Sequence, residues 1–323
     1  MNSPRATMLL ISYNQEDYIE EALSAAVAQD YPNLEIVVSD DASTDRTFEK
    51  IQGFFENYPG PHRIIINRNE TNLGIGANLS KAVSMSSGEL FFITAGDDIS
   101  LPGRVTDVMR FWLDKGKAPD LIACHLLDMM QDGQLGDEIR IADLGAYANL
   151  DDWARNPPHV IGAAQAWTAR LFERFGGIPA GVVGEDMLMA FRSIALGTAV
   201  TYPVPVVKYR RGGLTTKKKV LTVDAVIHGL TRKVKSSQIE LHAMLATAAS
   251  MRAGQSVIRV LQSRLNREVF IEEMFFGKER LRAFFLTGIG MGFRVRIFFY
   301  AFFPWVLKPF FMIKRFKQSN GGC

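Results

Sequence analysis

Four short apolar runs alternate with three helical patterns in the first third of the chain, and that rhythm leaves little choice of architecture. Thr7–Tyr13, Leu34–Ser39, Arg63–Ile66 and Leu90–Thr94 are rich in apolar, β-branched and aromatic residues, the mark of strands buried on both faces. Between them, three sets recur at helical spacing: Ile19, Ala22, Leu23, Ala26 and Val27; then Phe48, Ile51, Phe54 and Phe55; then Leu79, Ala82 and Val83. Such alternation predicts an α/β fold with a mostly parallel sheet, right-handed crossovers and helices on its faces. The carboxyl ends of the strands then share one rim, where ligands bind in open parallel sheets. Further on we expect a helix around Val105–Trp112, a strand at Leu121–Leu126 and a surface turn at Gln131–Gly136. A helix at Glu185–Leu196, a strand at Val204–Tyr209 and a Gly- and Lys-rich loop at Arg210–Lys219 follow.

The rim residues are polar and acidic. Strand 90–94 stops at Ala95 and Gly96, and Asp97 and Asp98 follow. Adjacent carboxylates repel unless a cation or hydrogen-bond donors hold them. Mg²⁺ or Mn²⁺ takes carboxylate oxygens, and a diphosphate completes its shell. Alternatively Asp98 caps the helix containing Pro102, with Asp97 a solvated turn residue. Taken alone the cap is the commoner outcome; a second acidic pair upstream and a third downstream shift the balance. Upstream, Asp40 and Asp41 can accept from a base N–H and from ribose hydroxyls, or form a turn and cap with Ser43 or Thr44 at the helix start. Ser12, Tyr13 and Asn14 end the first strand. Tyr13 can stack on a nucleobase and Asn14 hydrogen-bond beside it, or Tyr13 is a sheet-end aromatic and Asn14 a helix cap. Downstream, Glu185 and Asp186 are either a catalytic pair or acidic residues complementing a helix dipole. Trp167, among alanines, reads as core, and the lone His125 and His159 as structural.

The overall charge of +3 conceals an asymmetry. Residues 1–207 carry 15 Lys/Arg against 28 Asp/Glu, and residues 208–323 carry 22 against 6. A basic tail meets something anionic, a membrane face or a nucleic acid. Residues 284–316 hold ten phenylalanines, and the longest uncharged stretches there are eleven residues each. A spanning helix needs ~20 apolar residues, so this segment fits lying in the lipid interface ahead of capping the catalytic domain. Its aromatics do not interleave with Lys/Arg as stacking platforms require, which argues against nucleic acid. Cys124 and Cys323 form no spacing pattern, so a reducing compartment is expected. The N-terminus enters a strand almost at once, without a visible signal peptide.

Together these motifs resemble the family 2 glycosyltransferases with the GT-A fold. The resemblance rests on Ile11-Ser12-Tyr13-Asn14, Val38 to Asp45, Asn72-Leu73-Gly74, Ala95-Gly96-Asp97-Asp98, Arg174-Phe175-Gly176-Gly177 and Gly184-Glu185-Asp186, and covers about residues 5–215. It implies inverting transfer of a sugar from a nucleotide diphosphate donor, UDP-linked by default, to an acceptor hydroxyl, with Mn²⁺ or Mg²⁺. It implies nucleoside contacts at Tyr13, Asp40 and Asp41, with Ser12, Asn14, Asn72, Gly74 and Asp98 completing the donor site. Metal binding falls at Asp97, and the base is Asp186 with Glu185 beside it, raising the pKa of one of the pair by like-charge repulsion. Two positions depart from the pattern. Ala95 replaces the first aspartate of the usual Asp-X-Asp motif, where Asp98 can compensate, and Gly212 replaces a histidine that helps hold metal, where Arg210 and Arg211 can neutralise the diphosphate.

The expected organisation is therefore a nucleotide-sugar-binding catalytic domain, residues 1–215, and a helical basic, Phe-rich appendage, residues 216–323. The expected setting is the cytoplasmic face of the plasma membrane, peripherally attached to its anionic surface, with a glycan or lipid-linked acceptor for cell-surface polysaccharide or glycolipid. The alternative is a non-catalytic sugar-nucleotide-binding or assembly subunit with the same fold.

Overall fold

Strand β1 (Ala6–Ser12), with every residue buried, sits between β2 (Leu34–Asp40) and β4 (Leu90–Ala95) in the computed structural model, which describes residues 3–211 and 222–306. Gly212, most of the 210–219 loop and the end of the Phe-rich segment lie outside the described residues. The sheet runs β3-β2-β1-β4-β8-β6-β9-β5, with β3 at Arg63–Arg68, β5 at Ile99–Ser100, β6 at Leu121–Met129, β8 at Gln165–Thr168 and β9 at Ala199–Arg210. A further strand, β7 (Leu135–Ile139), pairs with β6. The first four strands in space are parallel, as the alternation predicts, and β6 and β9 are parallel. Strands β5, β7 and β8 are antiparallel to their neighbours.

Register makes the rim. Ser12 aligns with Asp40 and Ile11 with Ala95, so Tyr13, Asp41 and Gly96 all emerge at one edge. Gly96 passes so close to β1 that a Cβ there would lie 2.6 Å from Gln15 Oε1 and 3.2 Å from Ser12 Cβ. Only glycine lets the 95–98 turn nest against the first strand.

Helices α1 (Ile19–Val27), α2 (Thr47–Phe55), α3 (Ile75–Ser84) and α4 (Arg104–Asp114) cross between the early strands, and α5 (Leu150–Arg155), α6 (Ala169–Arg174) and α7 (Glu185–Leu196) follow. Three expected caps are not caps. Helix α1 begins at Ile19, well past Asn14; α2 begins at Thr47, past Ser43 and Thr44; α4 begins at Arg104, past Asp98. In each case the short polar side chain bonds to a distant segment instead. Strand β9 is longer than the Val204–Tyr209 expectation because Pro203 and Pro205 are absorbed where its register against β6 shifts, at Cys124 to Leu126.

The C-terminal helices are α8 (Val223–Arg232), α9 (Val234–Ser250), α10 (Gln255–Phe276), α11 (Arg280–Ala283) and α12 (Met291–Phe302). Leu241, Met244 and Ala248 of α9 and Val257, Leu261 and Leu265 of α10 belong to the same apolar core as β1, β2 and β4. A smaller cluster of Val234, Phe270, Ile271, Met274, Ala283, Ile289 and Ile297 joins α10 to the Phe-rich segment. No helix among the described residues is long and apolar enough to cross a membrane.

Because Leu261 is fully buried in the shared core, Leu261→Ala should destabilise the whole chain by about 2–5 kcal/mol. Urea unfolding followed by both tryptophan fluorescence and helical ellipticity should give coincident transitions at a lower midpoint. An appendage folding apart from the sheet would instead show a shifted helical transition and an unchanged fluorescence one.

Candidate active site

On the donor side the two aspartates at the end of β2 shape the rim through bonds of their own. Asp40, fully buried, accepts from Ser12 Oγ at 3.2 Å, Ser43 N at 2.9 Å and Ser43 Oγ at 2.5 Å. Asp41 accepts from Asn69 Nδ2, Leu73 N and Gly74 N, each at 2.8 Å. Buried carboxylates require such donors. Here the donors fold the 69–74 loop back over the sheet edge, and Gly74, at φ +82°, supplies a turn that a Cβ would strain. Asn14 adopts a left-handed conformation, φ 51°, and locks the neighbouring loop, its Oδ1 accepting from Thr44 N at 2.8 Å.

These loops enclose a cavity of about 540 Å³. Ser12, Tyr13, Asp41, Asn72, Gly74 and Ala95 line it, together with Val183, Arg232, Lys233 and Ser236 from further along the chain. Of the residues expected at the donor site, Asn14, Asp40 and Asp98 stand behind this lining as supports.

Asp97 and Asp98 follow β4 at the same rim. Asp98 is buried, with Oδ1 accepting from Arg210 N at 2.9 Å. Burial, and then the Asp97 charge, push its carboxyl up to about 8, against the pull of Arg104 and Arg210. Burial also raises Asp97. Arg210 is committed here: Nε donates to Asp97 O at 3.0 Å, Nη1 to Gln131 O at 3.1 Å, Nη2 pairs with Glu21 at 2.5 Å, and the guanidinium lies 4.5 Å over Tyr18. Arg211 pairs with buried Asp128 at 2.6 Å. The expectation that these two arginines face the diphosphate is therefore corrected, because nearer carboxylates and carbonyls hold both.

The acid pair fits a hard cation in one respect: its burial is not matched by counter-charge. Among the described residues no group of three or more His, Cys, Asp or Glu is arranged to hold a metal. Asp97, half exposed, is the carboxylate left to ligate, so an ion there would draw most of its shell from diphosphate oxygens and water.

On the other side of the mouth, Glu185 and Asp186 open α7 behind Gly184. Asp186 accepts from Met187 N at 2.7 Å and Gly162 N at 3.2 Å. Burial raises its carboxyl, while those N–H groups and His159 oppose the rise. Glu185 is raised well above the usual range, by burial first and by Asp186 second, and its Oε2 is buried without a hydrogen-bond partner. Like-charge repulsion thus contributes as expected, but desolvation is the larger cause. Both carboxyls are pushed toward their protonated forms; Asp186 has two N–H donors, whereas Glu185 Oε2 has no hydrogen-bond partner.

Sequence reasoning missed three parts of this mouth. Tyr209 on β9 has its hydroxyl raised by burial and then by Asp98, Asp97 and Asp186 together, so one side chain stands within reach of both acid pairs. Glu240 on α9 packs against Gly184, where a Cβ would lie 2.6 Å from its Oε2. Burial and then Asp186 raise Glu240 to about 7. At Gly162 a Cβ would come within 3.0 Å of Glu185 Oε1. Nothing in an apolar strand or an isolated helix flags Tyr209 or Glu240, since their neighbours come from other elements. His159, expected to be structural, lies near Asp186, whereas Trp167 is core as expected, with Nε1 donating to Gln165 at 2.7 Å.

The family model "Glycosyl transferase family 2" matches residues 7–124. An uncharacterized glycosyltransferase of Haemophilus influenzae is 30% identical over 226 residues, covering 67% of this chain and 68% of that protein. The chain belongs to glycosyltransferase family 2. It spans about a quarter of the length of its mycobacterial relatives, with 40% identity over 94 residues covering 26% of each. Staphylococcus aureus TarS 1–349, solved with UDP-GlcNAc, shares the fold at TM-score 0.54 and 14% identity, over 91% of this chain and 89% of that one. A mannosyltransferase of Pyrobaculum calidifontis, solved with GDP-Man and Mn²⁺, does so at TM-score 0.55 and 19% identity, over 95% and 87%. These likenesses show a GT-A fold.

The raised Glu240 carboxyl has a consequence for stability. Its folded value of about 7 lies above its ordinary 4.5. Below 4.5 both states are protonated and nothing is lost. Between 4.5 and about 7 the unfolded chain ionises first, so stability falls as pH rises. Glu240→Gln removes that loss. Relative to the parent, the variant should gain on the order of 1–3 kcal/mol between pH 4.5 and 8, measured by urea unfolding at several pH values; a constant difference would contradict the assignment.

Proposed function

We propose that this chain is an inverting, metal-assisted glycosyltransferase that moves a sugar from a nucleoside diphosphate donor to an acceptor hydroxyl. The observation that carries the reading is the link between the two acid pairs: Asp98 accepts from Arg210 N, next to Tyr209, at 2.9 Å, and Gln165 bonds to Asp186 O at 3.4 Å and to Arg104 at 3.5 Å. Asp98, Asp97 and Asp186, far apart in sequence, all act to raise the Tyr209 hydroxyl.

Inverting transfer is a single displacement at the anomeric carbon. It needs a base on the acceptor side and charge stabilisation on the leaving side. Asp186 is the base: its carboxylate accepts from two backbone N–H groups, and its burial raises its affinity for a proton. Met187 N and Gly162 N hold the carboxylate in place. The 540 Å³ cavity takes the nucleotide, with Tyr13 against the base and the 72–74 loop beside it. A divalent cation bound at Asp97 would supply charge neutralisation of the leaving diphosphate. Asp98, Arg104 and Arg210 fix the turn on which Asp97 sits.

The acceptor is read as a glycan or lipid-linked saccharide for cell-surface polymer or glycolipid assembly, presented at the inner membrane face. Support comes from the tail. Phe276, Leu281, Phe285, Met291 and Trp305 are exposed, in a segment that also carries Arg280, Arg282, Arg294 and Arg296. An apolar face edged by arginine suits the interface of an anionic bilayer. Ile289 and Ile297, by contrast, are buried on α10, so this segment both caps the chain and presents an apolar face.

Asp186→Asn should lower kcat by about 10²–10⁴-fold while leaving donor affinity within about threefold, read by turnover and calorimetry. Retained turnover would remove Asp186 as the base. Asp97→Ala should abolish the gain in donor affinity that Mn²⁺ gives, leaving the metal-free affinity in place. The triple change Leu281→Ser, Phe285→Ser, Trp305→Ser should release the protein from sedimenting vesicles containing phosphatidylserine; undiminished sedimentation would contradict interfacial attachment.

A further inference from the structure

The donor cavity has a basic wall that the family motifs do not contain. Arg232 and Lys233 end α8 and lead into α9, and both line the cavity that Tyr13, Asn72 and Gly74 also line. Among the described residues neither side chain makes a hydrogen bond or an ion pair. Asp41, the acid lining the same cavity, has its carboxylate occupied by Asn69, Leu73 and Gly74. Ala95 offers no charge. The cavity's uncommitted charge is therefore positive. Arg210, which bonds to the acid turn, and Arg211 beside it are both engaged.

The wall is also held in place. Val234, the next residue, is buried in the cluster with Phe270, Ile271, Met274 and Ile297. Lys233 O accepts from Ser237 N at 2.9 Å and from Ser236 Oγ at 3.0 Å. The Phe-rich segment, by packing on α10 and Val234, fixes where two cations meet the cavity.

We propose that Arg232 and Lys233 bind the diphosphate of the donor, so that the C-terminal appendage completes the nucleotide site from outside the motif-bearing region. This rests on reading the cavity as the donor site. A guanidinium and an ammonium divide the work: the first can chelate two phosphate oxygens, and the second adds a point charge. Part of the tail's excess of Lys/Arg then serves the substrate, independently of any membrane surface.

The test is calorimetric titration of the full chain with UDP, GDP, CDP, ADP and dTDP, and with the nucleoside matching the tightest of them, with and without Mn²⁺. For Arg232→Ala/Lys233→Ala, diphosphate affinity should fall on the order of 10–100-fold, while nucleoside affinity changes less than twofold. The salt dependence of diphosphate binding should become shallower. Arg232→Lys should lose part of the affinity, because an ammonium cannot chelate two oxygens, but less than Arg232→Ala does, and the thermal midpoints should match the parent's. Equal losses for nucleoside and diphosphate, or no loss for either, would overturn the proposal. If the parent binds no nucleoside diphosphate, the donor-site reading itself fails. If the parent binds and the double variant binds equally well, only the basic wall fails.

Discussion

Too much negative charge is buried at one edge of the sheet for the protein's own cations to balance. Asp97, Asp98, Glu185, Asp186 and Glu240 are all pushed toward their protonated forms, each chiefly by burial. Arg210 and Arg104 act on the first pair, and Arg264 acts on Glu240. A structure at rest can meet this load by keeping protons. On the proposed function, a cation with its diphosphate on one side and an acceptor hydroxyl on the other would meet it. The same excess that costs stability makes the mouth receptive.

The backbone holds this load in place through a few close approaches. Gly96 lets the 95–98 turn settle against Ser12 and Gln15; Gly162 and Gly184 let the α7 acids lie against η-turn backbone and α9. The C-terminal helices take part at both subsites. Glu240 bears on the Glu185–Asp186 pair through Gly184, and the α8–α9 turn lines the cavity beside Tyr13 and Asp41. Arg264, 4.9 Å over Trp153, ties α10 to α5. The family motifs lie upstream, but the cavity is walled by residues beyond them.

Much of the architecture was legible because burial on both faces writes itself as continuous apolar sequence. Leu34–Ser39 and Leu90–Thr94 became β2 and β4 within a residue, and Glu185–Leu196 became α7 at its expected bounds. Caps were misread where a short polar side chain had two possible partners. Asn14, Ser43 and Asp98 all favour local backbone in isolation, but each was claimed by a segment from elsewhere, Thr44, Asn14 and Arg210 respectively. Strand β8, four residues long, carries no period to read. The acid pairs stood out as pairs, whereas Tyr209, Glu240, Arg232 and Lys233 acquire meaning only when remote elements dock. Arg210 shows the converse: adjacency in sequence suggested a phosphate ligand, and the fold spent it on Asp97 and Glu21.

On the proposed reading, the acid turn holds Asp98 toward its protonated form, and a cation bound at Asp97 would displace that proton. Proton release on binding measures this directly. Calorimetry of Mn²⁺ with the tightest-binding nucleoside diphosphate near pH 7, run in buffers of different ionisation enthalpy and corrected for the metal–nucleotide mixture alone, counts the protons. With Asp98 near 8, the account predicts a release approaching one proton per site in the parent and clearly less in Asp98→Asn. No release, or the same release from both proteins, would contradict it.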